Sequence, residues 1–279
     1  MQSLSLEPAT NHSDGGRFRG NRGGIIPMHR ALARLNFGPV EMLVSVTTAV
    51  GAIVGWVLSL PSICEFWKLL FTLGLRFLPL QGALKTSLTR FSFGLTMSLP
   101  YFEFDPQMPT PHLWAATCLV VLAMFGVTFL LPPKLLPIVY LLRCVLFVQG
   151  SALVYFALFP AQFSYAPSDY LKGFLLSGAG LIGIVPVLFL LTYYIFPFSL
   201  VQKTFLTLST MAYLTVFLPF QLLLHALLLG KSILFMPTLY LVAGMPLDVL
   251  IIVALYAWGM TWEFNDSRTT ERTSTTPRR

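Results

Sequence analysis

The sequence contains 279 residues, of which 56% are hydrophobic and only 10% are charged. Soluble domains carry roughly 25% charged residues, and a soluble protein of this size could not hide so much apolar surface. The same composition excludes a disordered chain and a disulfide-bonded scaffold. The formal net charge is +7, from 18 Lys and Arg against 11 Asp and Glu. Most of the chain is therefore expected to lie in lipid.

Residues 1–39 are polar and rich in Gly, Asn and Arg, a composition typical of a disordered basic tail. The stretch 28–35 has apolar residues at helical spacing and two arginines on another face. That spacing suits a short helix on anionic lipid headgroups, and a solvated linker fits it equally well. The arginines are explained most simply as topology determinants, so a lipid partner is expected and a nucleic-acid partner is not.

Six apolar segments are long enough to cross a hydrocarbon core of about 30 Å as helices. Short connections at 132–134 and 230–232 make neighbouring helices antiparallel. We therefore predict an all-α fold, a polytopic membrane helix bundle with six transmembrane helices. The segments lie at 42–60, 113–131, 135–158, 171–196, 204–229 and 233–258.

In terms of domain organisation, a first transmembrane helix at 40–60 is separated from a five-helix bundle at 113–258. A polar C-terminal tail follows at 259–279. The intervening residues 61–112 are predicted to form an amphipathic extracytoplasmic segment.

Two patterns support this interpretation of residues 61–112. Glu65, Lys68 and Arg76 fall on one stripe of an otherwise apolar helix, which favours an interfacial helix over a membrane span. From Phe91 to Leu99 apolar and small polar residues alternate strictly, which favours an extended segment. A helical template fits this region as well, so its type stays open.

The distribution of Lys and Arg sets the orientation. With six spans and the N-terminus inside, the cytoplasmic segments hold more of these residues than the opposite side, and both termini are predicted to be cytoplasmic. An alternative with seven spans uses 63–79 as a further helix. It would bury Glu65, Lys68 and Arg76 and export the basic C-terminal tail, so it ranks second.

Charged residues inside predicted spans are costly in lipid and are candidate functional residues. Arg143 lies in the third span and Asp248 in the sixth, at depths of roughly 12 and 15 Å from the same side. A pair between them is geometrically possible. It could serve a proton- or ion-coupled site, or it could be a structural pair that fixes the register of the bundle.

Other polar residues form a candidate layer in the outer half of the bundle. Gln221 and His225 share one face of the fifth span, and Gln149 lies in the third span at a similar level. Histidine can titrate near neutral pH, but an interhelical hydrogen bond is the commoner role. Gly244 and Pro246 stand just before Asp248, and a broken helix beside an acid is typical of transporter sites.

Small residues predict close helix packing. Gly51 and Gly55 form a GxxxG stripe on the first span, suited to packing within the chain or to contact with a second subunit. The three cysteines, Cys64, Cys118 and Cys144, have no metal-ligand spacing, and nucleotide-binding and hydrolase motifs are absent from the sequence. We therefore predict neither a cofactor nor a metal.

Three functions compete on these observations. A non-enzymatic scaffold or accessory subunit, packing with a membrane protein partner or as a homo-oligomer, is favoured by the scarcity of polar residues in the bundle. A small proton- or ion-coupled transporter or channel would use Asp248 and Arg143. An intramembrane enzyme acting on a lipid-linked substrate would need polar residues clustered near 61–112. Candidates for that cluster are Glu65, Glu103, Asp105 and His112.

Overall fold

The structure, a computed structural model, describes residues 18–19, 25–26, 39–78, 82–90, 96–193 and 199–274. The prediction of a helical membrane bundle is confirmed, since 82% of the structure is helical. The helices are α1 Pro39–Phe77, α2 Pro111–Val127, α3 Leu136–Leu158, α4 Pro167–Tyr193, α5 Leu200–Lys231, α6 Met236–Leu241 and α7 Met245–Ser274. The strands are β1 Phe18–Arg19, β2 Ile25–Ile26, β3 Ala83–Arg90 and β4 Thr96–Glu103.

The predicted spans correspond to six helical segments of the fold. Among the described residues, five helical segments have the length and hydropathy needed to cross a membrane, so the chain is a multi-pass membrane protein. The segment that corresponds to the second predicted span, α2, is a shorter apolar helix of 17 residues. This length lies at the lower limit for a transmembrane helix.

The first helix is longer than the sequence suggested. It continues past residue 60, through Pro61, to Phe77 without interruption. One stripe of α1, including Trp56, Trp67 and Phe71, is buried in the core. The charged stripe that includes Glu65 lies on the exposed face. The charged side chains stay out of the core because they lie on a different face of α1 from the buried stripe. Residues 63–77 are therefore part of α1 rather than a separate helix.

β3 and β4 pair as an antiparallel hairpin, so the alternating stretch is extended from Thr96 onward, while its first part, 91–95, lies outside the described residues. The hairpin docks through β4 on α1 and α4. Phe102 is buried and its ring lies 5.1 Å from that of Phe71. The segment 61–112 is therefore not one amphipathic unit. It comprises the end of α1, this hairpin and the approach to α2.

Helices α4 and α5 form the centre of the bundle and are its most buried long helices. They approach closely where Gly178 faces Leu218, because a Cβ added at residue 178 would lie 2.5 Å from a Leu218 methyl carbon. Helices α1 and α7 pack against this pair. The first predicted tail, 1–39, lies mostly outside the described residues; β1 and β2 within it form a two-residue antiparallel ladder.

The sixth predicted span is broken. A 3-10 turn at Ile233–Phe235 leads into the short α6, which ends at Leu241, and α7 begins at Met245. The residues between are a turn and bends. Pro246 stands in the first turn of α7, where its missing N–H costs no helical hydrogen bond. The helix then runs beyond residue 258 to Ser274, into the region predicted as a polar tail.

Candidate functional site

Asp248 is the most unusual polar residue of the bundle. It lies in the first turn of α7 and is 2% exposed. Neither of its carboxylate oxygens has a hydrogen-bond partner among the described residues. The N-terminal end of a helix carries a partial positive charge that favours a carboxylate, but a buried carboxylate without donors is costly.

Gln221 ties α5 to the break between α6 and α7. Its side-chain Nε2 donates to the backbone oxygen of Ala243 and lies 3.5 Å from that of Gly244. Ala243 and Gly244 lie between the end of α6 at Leu241 and the start of α7 at Met245, so the Ala243 carbonyl stands outside both helices. Gln221 supplies a donor at this position, while its own Oε1 is buried without a partner.

His225 lies one turn farther along the same face of α5 and is fully buried. Its Nδ1 is 3.1 Å from the hydroxyl oxygen of Tyr170 on α4. The imidazole stacks on the Tyr170 ring and contacts the ring of Phe174 at 4.9 Å between centroids. Its Nε2 has no hydrogen-bond partner in the described part of the chain. The tyrosine was not identified from the sequence, although it stands at the start of a predicted span.

Both polar atoms of the Gln149 side chain form hydrogen bonds within the chain. Its Oε1 accepts from the Thr238 hydroxyl at 2.6 Å, and its Nε2 donates to the Leu234 carbonyl at 3.3 Å. These two bonds fasten α3 to the 3-10 turn and to α6. Gln149 therefore contacts a different part of the broken span from Gln221.

Arg143 does not pair with Asp248. Its Nε donates to the Thr128 hydroxyl at 3.2 Å, and its guanidinium lies 4.8 Å from the centre of the Phe129 ring. Thr128 is the C-cap of α2, so the cation sits at the negative end of a helix dipole. An Arg143–Asp248 pair was possible because the two residues lie at similar depth in the membrane. Arg143, however, is on the face of α3 that contacts α2.

Two of the polar residues near the hairpin, Glu65 and Glu103, each form an ion pair with a lysine. Glu65 pairs with Lys68 at 3.7 Å, and Glu103 pairs with Lys85 across the hairpin. The hydrogen bond and charge of Glu103 raise the pKa of Lys85. Within the described ranges, no group of three or more His, Cys, Asp or Glu side chains could hold a metal ion.

A groove of about 700 Å³ separates the middle of α1 from α5. Gly51 and Gly55 line it, and a Cβ added at either would meet no atom within 4 Å. The two helices touch at both ends of the groove. At one end Lys203 Nζ donates to the Ser45 hydroxyl at 3.2 Å. At the other end Trp67 Nε1 donates to the Thr215 carbonyl at 2.9 Å.

The structure thus brings Gln221 and His225 together at the break that precedes Asp248, and it places Arg143 and Gln149 elsewhere. The glycine stripe lines the α1–α5 groove, where no atom of the chain lies within 4 Å of a Cβ added at either glycine. No family model, curated protein or solved structure matches this sequence.

Proposed function

We propose that this integral membrane protein is a non-enzymatic scaffold subunit that assembles with a second copy of itself through the α1–α5 groove. The observation that carries the proposal is the glycine stripe, since the Gly51 and Gly55 positions are exposed and open to the groove. Small residues in transmembrane helices allow two backbones to approach closely.

The dimensions of the groove suit a helix. Its lining on α1 extends from Thr48 to Ile63, about 22 Å along a helix axis. This covers most of a hydrocarbon core of about 30 Å. The Thr48 and Ser59 hydroxyls donate to carbonyls of their own helix. These two hydroxyls are therefore already paired within α1 and are not free donors towards an occupant of the groove.

A second copy is the occupant that the sequence of α1 favours. A GxxxG stripe is its own complement when two identical helices cross at a two-fold axis, and two-fold dimers are the commonest symmetric assemblies. Exposed apolar side chains flank the stripe at Val50, Val54 and Leu58. These side chains would pack on either side of the crossing point.

Cysteine cross-linking in the membrane tests this proposal. The exposed Cys144 and half-buried Cys118 are replaced by Ser, and Gly55→Cys is introduced. Mild oxidation is expected to give a covalent dimer in high yield, because residue 55 lies at the centre of the proposed crossing. Gly126→Cys on α2 is the matched control, since Gly126 is also an exposed helical glycine with open space around it.

A dimer from Gly55→Cys and monomer from Gly126→Cys would support the proposal. Monomer from both variants would contradict it, and would leave a lipid chain or another protein as the occupant of the groove. Equal cross-linking of both variants would also contradict it, because collisions without a defined interface would then explain the product.

A further inference from the structure

Three buried side chains with unfilled hydrogen-bonding atoms follow one another along the interface of α5 and α7. They are His225, Gln221 and Asp248. Gln221 contacts Gly244, and at the far end of the two antiparallel helices Gly259 faces Leu206. Asp248 precedes Gly259 on α7 by eleven residues, about three helical turns, so the two share the face of α7 that packs on α5.

Asp248 and Gln221 hold three unfilled acceptor atoms. They are both carboxylate oxygens and the Oε1 atom of Gln221. The carbonyl oxygens of Leu239 and Tyr240 also lie against Gly244, since a Cβ added there would come within 3.1 Å of both. They belong to the last turn of α6, which has no following helical N–H groups. The end of α6 therefore brings backbone carbonyl oxygens to the break between α6 and α7.

No described cationic side chain neutralises Asp248. The helices packed against α7 contribute Tyr170 from α4, His225 from α5 and Tyr240 from α6, and α7 itself contributes Tyr256. Of these, Tyr170 is within electrostatic range of Asp248.

The lysines of α4 and α5 and the arginine of α3 are engaged elsewhere or lie at helix ends. Lys172 lies over the Tyr101 ring, Lys203 reaches Ser45, Lys231 is exposed at the end of α5, and Arg143 contacts Thr128. A buried carboxylate with no cationic partner and no donor needs a positive charge from outside the chain.

We propose that Asp248, together with Gln221 and the carbonyl groups at the α6–α7 break, binds a single monovalent cation, either an alkali metal ion or a proton. Oxygen ligands at a broken helix suit such ions, and either one would neutralise the carboxylate. This site lies apart from the α1–α5 groove and does not depend on the assembly of two copies.

Thermal stability of the purified protein in lipid nanodiscs tests the site. Wild type and Asp248→Asn are compared in sodium chloride, potassium chloride and N-methylglucamine chloride at equal ionic strength, and then across pH 5 to 9. A bound metal ion raises the melting midpoint of the wild type by about 3 °C or more over the organic cation. A bound proton makes the midpoint fall as pH rises, with equal values in the three salts.

In either case Asp248→Asn loses the response. Asp169→Asn is the matched control, because Asp169 is exposed in the first turn of α4, and this variant is expected to respond like the wild type. The proposal is overturned if the melting midpoint of the wild type changes with neither the salt nor the pH. It is also overturned if the midpoint of Asp248→Asn changes as much as that of the wild type.

A second measurement needs no variant and so remains informative if Asp248→Asn fails to fold. Dicyclohexylcarbodiimide modifies protonated carboxyl groups in apolar surroundings, and the label is located by peptide mass. Labelling of wild-type Asp248 that decreases with added sodium or potassium, or with rising pH, supports the site. Labelling that is absent throughout, or constant across salts and pH, contradicts it.

Discussion

The indole Nε1 of Trp67 donates a hydrogen bond of 2.9 Å to the backbone carbonyl oxygen of Thr215. Thr215 is four residues before Pro219, which has no N–H to offer to this carbonyl. The proline therefore frees an acceptor in the middle of α5, and Trp67, fully buried on α1, satisfies it. This bond also closes one end of the α1–α5 groove. The proline in α5 therefore helps to position α1.

The Trp67–Thr215 bond predicts a specific coupling with Pro219. Trp67→Phe keeps an aromatic ring but removes the donor, and is expected to lower the free energy of unfolding by about 1 kcal/mol. In a Pro219→Ala background, the restored backbone N–H bonds the Thr215 carbonyl, and Trp67→Phe should cost clearly less. Reversible unfolding in SDS measures all four members of this cycle. Equal costs in the two backgrounds would show that Trp67 stabilises the bundle by packing alone.

Two glycines of α4 are expected to respond differently to the same change. At Gly178 an added Cβ would lie 2.5 Å from the side chain of the buried Leu218, whereas at Gly180 it would meet nothing within 4 Å. Gly178→Ala should destabilise the bundle by about 1 kcal/mol, as overpacking outweighs the gain in helix propensity. Gly180→Ala should be neutral or stabilising. Melting midpoints provide the comparison, and a stabilising Gly178→Ala would contradict the close approach of α4 and α5.

Removing Gln149 should loosen the broken span from α3. Gln149→Leu leaves the Thr238 hydroxyl and the Leu234 carbonyl without their partner, at an expected cost of about 0.6 to 1.7 kcal/mol. Hydrogen exchange should rise in residues 233–241 and stay unchanged in α5. Ser151→Ala, on the exposed side of α3, is the control. Unchanged exchange in Gln149→Leu would mean that apolar packing holds α6 in place.

The docking of the hairpin should depend on the buried side chains of β4, of which Phe102 is the largest. Phe102 is 1% exposed and packs on Phe71, whereas Leu88 on the paired strand is 82% exposed. Phe102→Ala is expected to cost about 3 to 5 kcal/mol and to release the hairpin to proteolysis, while Leu88→Ala leaves both properties near wild-type values. Equal protease sensitivity of the two variants would show that the strand hydrogen bonds, rather than this contact, hold the hairpin to the bundle.

The helical class and the approximate positions of the spans could be predicted because the length of each apolar run can be counted from the sequence. The extent of α1 could not. Its charges suggested a separate interfacial helix, yet Glu65 and Lys68 are accommodated on the exposed face of a continuous helix. A helix inside a proline-containing, partly charged stretch is stabilised by tertiary packing, which a single sequence does not reveal.

The candidate site was predicted only in part. The helix break before Asp248 was indicated by Gly244 and Pro246, and the structure places it there. Residue depth, however, gives no information on rotation about a helix axis, so Arg143 was a possible partner for Asp248 although it faces α2. The contact of Tyr170 with His225 joins two helices and had no local signal in the sequence.

Native mass spectrometry of the protein released from nanodiscs measures directly whether two copies assemble through the α1–α5 groove. The wild type is expected at twice the chain mass. Gly55→Leu fills the groove without meeting any atom of its own chain near the new Cβ, so it should fold normally and appear as a monomer, while Gly126→Leu stays dimeric. A monomeric wild type, or a dimer that survives Gly55→Leu, would contradict assembly through the α1–α5 groove.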